Sequence, residues 1–189
     1  MKNEYKIERI SYETTKPYIL GIHYAKRMPS ISYAFGLFNK NLLIGIVTYG
    51  SPASYTLCKG IAGVENKTNV IELNRLVLKN NLKNEASFLV SNSLKLLPKP
   101  KIVVSYADSD QNHIGYVYQA CNFYFTGTSK PRTDSAGKNG QHHRHHIGDK
   151  TIRTKRSAKH RYVYLIGNKK QIKNLKCCLN YPILDYPKI

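Results

Sequence analysis

Tryptophan is absent from this chain of 189 residues, acidic residues are scarce, and long apolar runs are missing. Only 11 Asp and Glu stand against 30 Lys and Arg, so the formal net charge is +19 at pH 7. A field of this size attracts polyanions, which makes nucleic acid the expected partner. No apolar run reaches the roughly 18 residues that span a bilayer, and the first residues lack an apolar signal segment. The sequence therefore predicts a cytoplasmic protein without a membrane partner.

The remaining pattern predicts one α/β domain over residues 1–189. Strand-like alternation and helix-like periodicity follow one another in the order β-α-β-β-β-α-β-α-β-β. A hairpin-rich first half followed by alternating elements favours a mixed, mostly antiparallel sheet flanked by helices. The predicted strands cover 5–10, 32–38, 42–49, 70–78, 101–105, 123–126 and 162–166, and the predicted helices cover 13–27, 85–97 and a short segment after 110.

The segment at about 129–161 has no apolar period and is strongly basic. It holds 10 Lys and Arg against 2 Asp, together with five of the seven histidines. Loops of this length inside a compact domain are usually functional or disordered. We interpret it as a basic, His-rich insertion that lies over a DNA duplex, with a solvated loop as the alternative. Its predicted DNA-binding residues are Lys130, Arg132, Arg144, Arg153, Lys155, Arg156, Lys159 and Arg161.

Short blocks between about residues 20 and 130 carry a resemblance to known proteins. The interval from Asn112 to Tyr118, with Phe123 after it, resembles the last helix of the GCN5-related acetyltransferase superfamily. Further blocks resemble the Mom family of bacteriophage DNA-modifying proteins, a divergent branch of that fold. They are HY at 23–24, YGSPAS at 49–54, ELNRL at 72–76, NEASFL at 84–89, SYAD at 105–108, HIG at 113–115, YQA at 118–120, NFY at 122–124, and Gly127.

This resemblance implies an acetyltransferase-like fold and a reaction at adenine. Members of the family convert the N6 amine of adenine in double-stranded DNA to a carbamoylmethyl derivative, which protects phage DNA from restriction in the host cytoplasm. The amine lies inside the duplex, so the base has to be flipped out or met in a single strand. Two alternatives stay open: a DNA-binding protein that kept the fold without catalysis, and an N-acetyltransferase that acts on another amine.

Transfer to N6 needs a stacking pocket, a base or positioning group for the amine, and a group that activates the donor. His23, Asp108 and His113 are the acid–base candidates, and Tyr118 holds the position where related acetyltransferases keep a general acid. The predicted catalytic residues are His23, Tyr24, Arg75, Asp108 and Tyr118. The predicted substrate-binding residues are Tyr49, Ser51, Glu72, Ser105, Tyr106, His113 and Tyr124.

Glu72 and Arg75 lie three residues apart in the strand predicted at 70–78. In a regular strand this spacing places the two side chains on opposite faces of the sheet. We expect Arg75 to point into the site and bind a donor carbonyl, a carboxylate or a DNA phosphate through its guanidinium fork. A structural ion pair is the alternative.

The donor site departs from the acetyltransferase pattern. Acetyltransferases hold the coenzyme A pyrophosphate with a glycine-containing loop before a helix, but this chain has no glycine between Gly63 and Gly115. The donor therefore stays open between an acyl-CoA-like and a glycine-derived molecule. The predicted cofactor-binding residues are Lys83, Asn84, Ser87 and Asn112. An iron ion held by His23, Asp108 and His113 is a further possibility, and the histidine run at 142–146 is a weaker metal candidate.

Overall fold

The computed structural model describes residues 5–135 and 152–188. Its strands are β1 (Tyr5–Arg9), β2 (Tyr33–Asn39), β3 (Leu42–Gly50), β4 (Val70–Leu78), β5 (Lys101–Asp108), β6 (Tyr124–Ser129), β7 (Arg132–Ser135), β8 (Arg153–Arg156) and β9 (Lys159–Ile166). Its α-helices are α1 (Tyr12–Lys16), which continues into a π-helical segment (Pro17–Ile22), α2 (Tyr55–Asn66), α3 (Glu85–Lys95), α4 (Tyr116–Ala120) and α5 (Lys169–Cys177). None of the helices in these two ranges is both long and apolar enough to cross a membrane.

Seven of the strands form one sheet in the order β1-β2-β3-β4-β5-β9-β6. Every neighbouring pair is antiparallel except β4 and β5, which run parallel. The connection between these two strands contains α3, as a parallel crossover requires. The sheet and its flanking helices confirm the predicted mixed α/β fold.

Helices cover both faces of the sheet. On one face, α3 and α4 pack over β2 to β5, β6 and β9, with Leu89, Val103 and Phe123 fully buried in the main cluster. On the other face, α2 and α5 pack over β4, β5 and β9 around Ile61, Val104 and Leu175. Helix α1 and its π-helical continuation add a third cluster with Tyr18 and Ile19 against β3 and β4.

Strands β4 and β5 separate halfway along their length. Their pairing covers three residue pairs and ends at Glu72 and Val104, although both strands continue. Beyond this point the Ser105 hydroxyl donates to the Leu73 carbonyl at 3.0 Å. The separation opens the sheet between its two faces, and side chains from both faces meet there.

A β-bulge at Asn74 corrects the prediction for Glu72 and Arg75. Thr48 of β3 pairs with Arg75, and Tyr49 pairs with Leu73, so Asn74 has no partner in the ladder. The bulge is held by a hydrogen bond from the Thr48 hydroxyl to the Asn74 side-chain oxygen at 2.6 Å. One extra residue shifts the alternation of the strand, which places Glu72 and Arg75 on the same face.

The hydrophobic clusters to which the β4 side chains belong show the same change of face at Asn74. Val70 packs with the α2 and α5 cluster, and Leu73 packs with the α3 cluster. Beyond the bulge, Leu76 and Leu78 lie on the α3 side and Val77 on the α1 side. The strict alternation expected for a regular strand at 70–78 is therefore wrong after Asn74.

Three helices differ from the sequence prediction. The first helix ends at Ile22 rather than Arg27, because the His23 N–H closes a π-type turn on the Tyr18 carbonyl and His23 is then extended. Helices α2 and α5 were not predicted. Each begins with a capping side chain, Ser54 and Asn168 respectively, whose oxygen accepts a backbone N–H of the first turn.

The basic insertion also contains regular structure. Strands β7 and β8 form a separate antiparallel ribbon, and β9 begins at Lys159 rather than at residue 162. The ribbon shows no apolar periodicity in the sequence because most of its side chains are polar and exposed. Residues 136–151, which include Arg144 and the histidine run at 142–146, lie outside the described residues.

Candidate active site

Tyr118 of α4 lies beside the opening between β4 and β5. Its ring packs against Phe123 and Tyr162 with centroid distances of 5.4 and 5.3 Å. Burial raises the pKa of Tyr118 to about 12, although a hydrogen bond with Ser105 partly offsets the increase. The phenol therefore keeps its proton at neutral pH, and its electrostatic interactions with Tyr24 and Glu72 place it within the site. It has the properties of a general acid.

Gly115 allows this approach of α4. It has φ of +86°, and a Cβ there would lie 2.3 Å from the ring of the buried Tyr162. Tyr162 donates its hydroxyl to the Ile114 carbonyl and accepts a hydrogen bond from Gln119 at 3.1 Å. Glycine is needed here because it accepts the left-handed conformation and leaves the space that the ring occupies.

Glu72 is the acidic group of the site. Burial raises its pKa to about 7, although the charges of Arg75 and Lys159 and a hydrogen bond from the Ala53 backbone lower it. It also raises the pKa of the half-buried Tyr106, after the larger effect of burial. A carboxyl group poised near neutrality can accept a proton at physiological pH. The sequence pattern predicts a substrate-binding role for Glu72, and its raised pKa depends on burial that the pattern does not reveal.

Arg75 is fixed by backbone carbonyls rather than by a carboxylate. One terminal nitrogen donates to the Asn74 carbonyl at 2.6 Å and the other to the Arg27 carbonyl at 2.8 Å. Its Nε is buried and has no hydrogen-bond partner among the described residues. Burial lowers the pKa of Arg75, and the charge of Arg27 lowers it further. The predicted alternative of a structural ion pair is absent from the described part of the chain.

His23 and Tyr24 line the site from the segment after the first helix. Their rings stack with centroids 4.4 Å apart, and Tyr24 meets His113 edge-on at 6.5 Å. Burial lowers the pKa of His23 to about 4, and the charges of Arg75 and His113 lower it further. The Nδ1 atom of His23 accepts the Ala25 N–H at 3.0 Å. His23 is thus neutral near pH 7, with its remaining proton on Nε2 as a hydrogen-bond donor.

Asp108 has partners of its own at the end of β5. Its carboxylate accepts Lys159 at 2.7 Å, the Ser157 hydroxyl, and the Asp110 N–H at 3.2 Å. Burial raises the pKa of Asp108, but the hydrogen bonds from Lys159 and Ser157 outweigh it and hold the pKa below its ordinary value. These contacts fix the start of β9 on β5. Asp108 is therefore an ionised carboxylate whose oxygens already accept hydrogen bonds from the protein.

The predicted substrate-binding residues lie partly in the core and partly in the site. Tyr49 is fully buried and its hydroxyl bonds Ser93 at 2.6 Å, so no face of the ring is open to a base. Tyr106 is half-buried on the face of Glu72. Tyr124 has Lys176 over its ring at 5.0 Å, and Ser51 is exposed after β3. Of the aromatic residues predicted to bind substrate, Tyr106 is the one that the structure brings to Glu72.

The start of α3 carries its own carboxylate. Glu85, in the first turn, is buried and accepts the Tyr5 hydroxyl at 2.9 Å and the Leu82 N–H at 3.0 Å. The Ser87 hydroxyl donates to the Asn84 carbonyl at 3.1 Å. The remaining predicted cofactor-binding residues, Lys83, Asn84 and Asn112, are exposed, and both asparagines have positive φ. A bound pyrophosphate at this helix end would meet the negative charge of Glu85.

No metal site was found in the described residues. No group of three or more His, Cys, Asp or Glu side chains could hold an ion there. His23, Asp108 and His113 accordingly do not form the ligand set that we predicted for iron.

The β7–β8 ribbon presents two different faces. Arg132 lies opposite Arg156, and both pair with Asp134 at 3.4 Å. The other face carries Arg153 and Lys155, both exposed. Two predicted DNA-binding residues lie elsewhere and have internal partners. Lys159 pairs with Asp108. Arg161 donates to the Thr126 hydroxyl at 2.9 Å and to the Thr126 carbonyl at 2.6 Å, and its guanidinium lies over the Tyr181 ring. Lys130 is exposed before the ribbon.

The sheet order, the opening between β4 and β5, and the Tyr118 position define an acetyltransferase-like fold. An N-acetyltransferase from Staphylococcus aureus superposes with a TM-score of 0.52 at 14% identity, covering 86% of this chain and 98% of its own. Arabidopsis thaliana NAA60 in complex with acetyl-CoA superposes with a TM-score of 0.55 at 12% identity, with the same coverage of 86% and 98%.

The chain belongs to the Mom protein family, whose model matches residues 4–188. A curated relative, methylcarbamoylase Mom of Escherichia phage Mu, is 30% identical over 131 residues. The match covers 66% of this chain and 54% of that protein, so the chain spans about half the length of the relative. The family and the fold that the sequence blocks indicated are thereby confirmed.

Proposed function

We propose that this protein is a DNA-modifying transferase that attaches a carbamoylmethyl group to the N6 amine of adenine. The observation that carries the proposal is the meeting of Glu72, Arg75 and Tyr118 at the opening between β4 and β5, beside a basic ribbon. The family relative is named for methylcarbamoyl transfer. The net charge of +19 favours a nucleic-acid substrate.

Glu72 and Tyr118 supply the proton transfers of this reaction. The adenine N6 amine is a weak nucleophile because its lone pair is delocalised into the ring, so it must lose a proton as it forms a bond. Glu72, with a pKa of about 7, accepts that proton. The bond between N6 and the methylene carbon of the donor forms while the bond from that same carbon to its leaving group breaks. The leaving group must therefore be attached to the methylene carbon of either class of donor, because attack on a thioester carbonyl would give an N6-acyl adenine instead. Tyr118, protonated below a pKa of about 12, gives its proton to the leaving group.

The aromatic and imidazole groups hold the flipped base. Tyr24 has 53% of its surface exposed and is stacked on His23 at its other side, which leaves one ring face for a base. His23 offers its Nε2 proton to an acceptor on the ring of adenine or on the donor. Asp108 positions the start of β9 through Lys159 and Ser157 and takes no proton itself.

The donor remains an acyl-CoA-like or glycine-derived molecule. Acetyl-CoA bound to NAA60 supports the first class through the shared fold. The buried Glu85 at the start of α3 and the missing glycine loop favour a donor that does not place a pyrophosphate there.

The ribbon docks the duplex. A two-stranded antiparallel ribbon fits the major groove of B-form DNA. Its outer cations, Arg153 and Lys155, are exposed and form no ion pair with a described carboxylate, so they are free to neutralise phosphates. Replacing both with Gln should lower the log–log salt slope of duplex binding by about 1.8, or about 0.9 for each phosphate. Gln at the exposed Lys169 and Lys173 of α5 is the charge-matched control and should leave the slope unchanged.

Nucleoside mass spectrometry of plasmid DNA tests the chemistry. DNA from cells that express the wild-type chain should contain adenosine with the added mass of a carbamoylmethyl group. The variants Glu72→Gln, Arg75→Gln and Tyr118→Phe should give none or nearly none. Tyr116→Phe, the same change at an exposed position of the same helix, is the matched control and should retain the product.

Two outcomes would overturn the proposal. Unmodified DNA from a folded, DNA-binding wild-type chain would favour a binding protein without catalysis. Acetylated amines with acetyl-CoA, and no modified adenine, would favour an N-acetyltransferase.

A further inference from the structure

Three arginines of the ribbon and the site interact through their charges: Arg156 lowers the pKa of Arg27, and Arg27 lowers the pKa of Arg75. Arg27 follows the first helix, Arg75 is on β4, and Arg156 ends the inner face of the ribbon. We refer to Arg27, Arg75 and Arg156 as the arginine triad. The Arg27 carbonyl accepts the Arg75 guanidinium at 2.8 Å, so these two residues are in direct contact.

The positive charges of the triad outnumber the carboxyl groups near them, which are Glu72 beside Arg75 and Asp134 beside Arg156. Within residues 5–135 and 152–188, neither Arg27 nor Arg75 forms an ion pair with a carboxylate. Arg156 shares Asp134 with Arg132 at 3.4 Å from each. Burial lowers the pKa of Arg27, and the nearby charge of Arg156 lowers it further. Like charges held together at a half-buried position destabilise one another, and an anion bound between them would remove that cost.

One buried donor of the triad lacks a hydrogen-bond partner among the described residues. It is the Arg75 Nε, and each terminal nitrogen of the same guanidinium donates to a backbone carbonyl. Leaving a buried donor of a charged group unsatisfied destabilises the folded state, and an acceptor oxygen bound there would remove that cost. The two backbone hydrogen bonds fix the plane of the guanidinium, which also fixes the direction in which its Nε–H would meet an acceptor oxygen.

We propose that the arginine triad binds a phosphodiester of the DNA strand, next to the adenine that enters the site. Guanidinium groups match the geometry of phosphate oxygens better than other cations do. One member comes from the ribbon and two come from the site, so the bound phosphate lies between the docked duplex and the flipped base. This inference rests on the proposed function, and it assigns the partner of Arg75 among the three that the sequence left open.

The source of the anion can be tested with a neutral phosphate analogue. The probe is a DNA duplex with one adenine, placed in a cytosine strand, and that strand carries either ordinary phosphates or one methylphosphonate beside the adenine. Wild-type protein should bind the methylphosphonate probe about tenfold more weakly, the effect expected for one charge-assisted hydrogen bond. Arg27→Gln and Arg156→Gln should each weaken binding of the ordinary probe. Both variants should lose the difference between the two probes.

Arg153→Gln on the outer face of the ribbon is the matched control. It should weaken both probes equally, because its contact is with another phosphate. The proposal would be overturned if Arg27→Gln and Arg156→Gln also weakened both probes equally. A second binding measurement with coenzyme A addresses the donor: loss of coenzyme A affinity in Arg27→Gln, with the probe difference retained, would assign the triad to a donor phosphate.

The binding assay is independent of turnover. It requires neither the donor nor a modified product, so failure of adenine modification in cells would leave its result intact. Conversely, equal binding of the two probes by wild-type protein would contradict the role of the triad without contradicting the proposed transfer reaction.

Discussion

The replacement Glu72→Gln gives the most direct test of the electrostatics of the site, because it keeps the size of the side chain and removes its titration. The pKa of Glu72 rises from 4.5 to about 7 on folding, with burial as the main cause. One pKa unit corresponds to 1.36 kcal/mol, so the full shift is worth about 3 kcal/mol. Because the side chain is partly exposed, we expect about 1–3 kcal/mol.

The sign follows from proton binding in the two states. Between pH 4.5 and about 7 the folded chain keeps the Glu72 proton that the unfolded chain has lost. The folded state therefore binds more protons, and the contribution of Glu72 to stability is lost as the pH rises through this range. His23 acts in the opposite sense: its pKa falls from 6.5 to about 4 on folding, so its contribution is lost as the pH falls.

The two effects overlap, so the difference between variant and wild type has to be measured at each pH. Urea unfolding of Glu72→Gln should give the same stability as wild type near pH 4 and a stability about 1–3 kcal/mol higher near pH 8. Glu65→Gln, at an exposed position of α2, is the matched control and should show no such trend. A difference between Glu72→Gln and wild type that is constant from pH 4 to pH 8 would refute the raised pKa, and with it the role of Glu72 as the base.

Three further predictions concern stability. Gly115→Ala should destabilise the fold by about 2–5 kcal/mol in chemical denaturation, because the new Cβ would overlap Tyr162 at positive φ; Gly21→Ala, which has open space, should be nearly neutral. Glu85→Ala should cost about 1–3 kcal/mol by leaving a hydroxyl and an N–H without their acceptor, whereas an unchanged midpoint would contradict its anchoring role. His23→Gln should flatten the loss of stability between pH 6.5 and about 4, as measured by urea unfolding, and an unaltered pH profile would contradict its burial as a neutral group.

The sequence by itself determined the family, the fold class and most of the sheet. Alternating residues identified β4 with its observed bounds, because successive side chains of a strand point to opposite faces of the sheet. Short blocks such as those at His23, Arg75 and Tyr118 identified residues that the structure brings to one opening. The excess of positive charge indicated a polyanionic partner, since charge is a property of composition and does not depend on the fold.

Only the tertiary structure decided how these residues work. Glu72 and Arg75 share a face because β3 pairs around Asn74, and a bulge depends on the partner strand rather than on local spacing. Tyr49 proved to be a core residue and Asp108 an ionised anchor, because burial and hydrogen-bond partners come from residues distant in sequence. Arg27 belongs to no sequence motif, and its carbonyl accepts a hydrogen bond from Arg75 only in the folded chain, because the two residues are distant in sequence. A side chain's type is local, whereas its pKa and its partners are set by long-range packing.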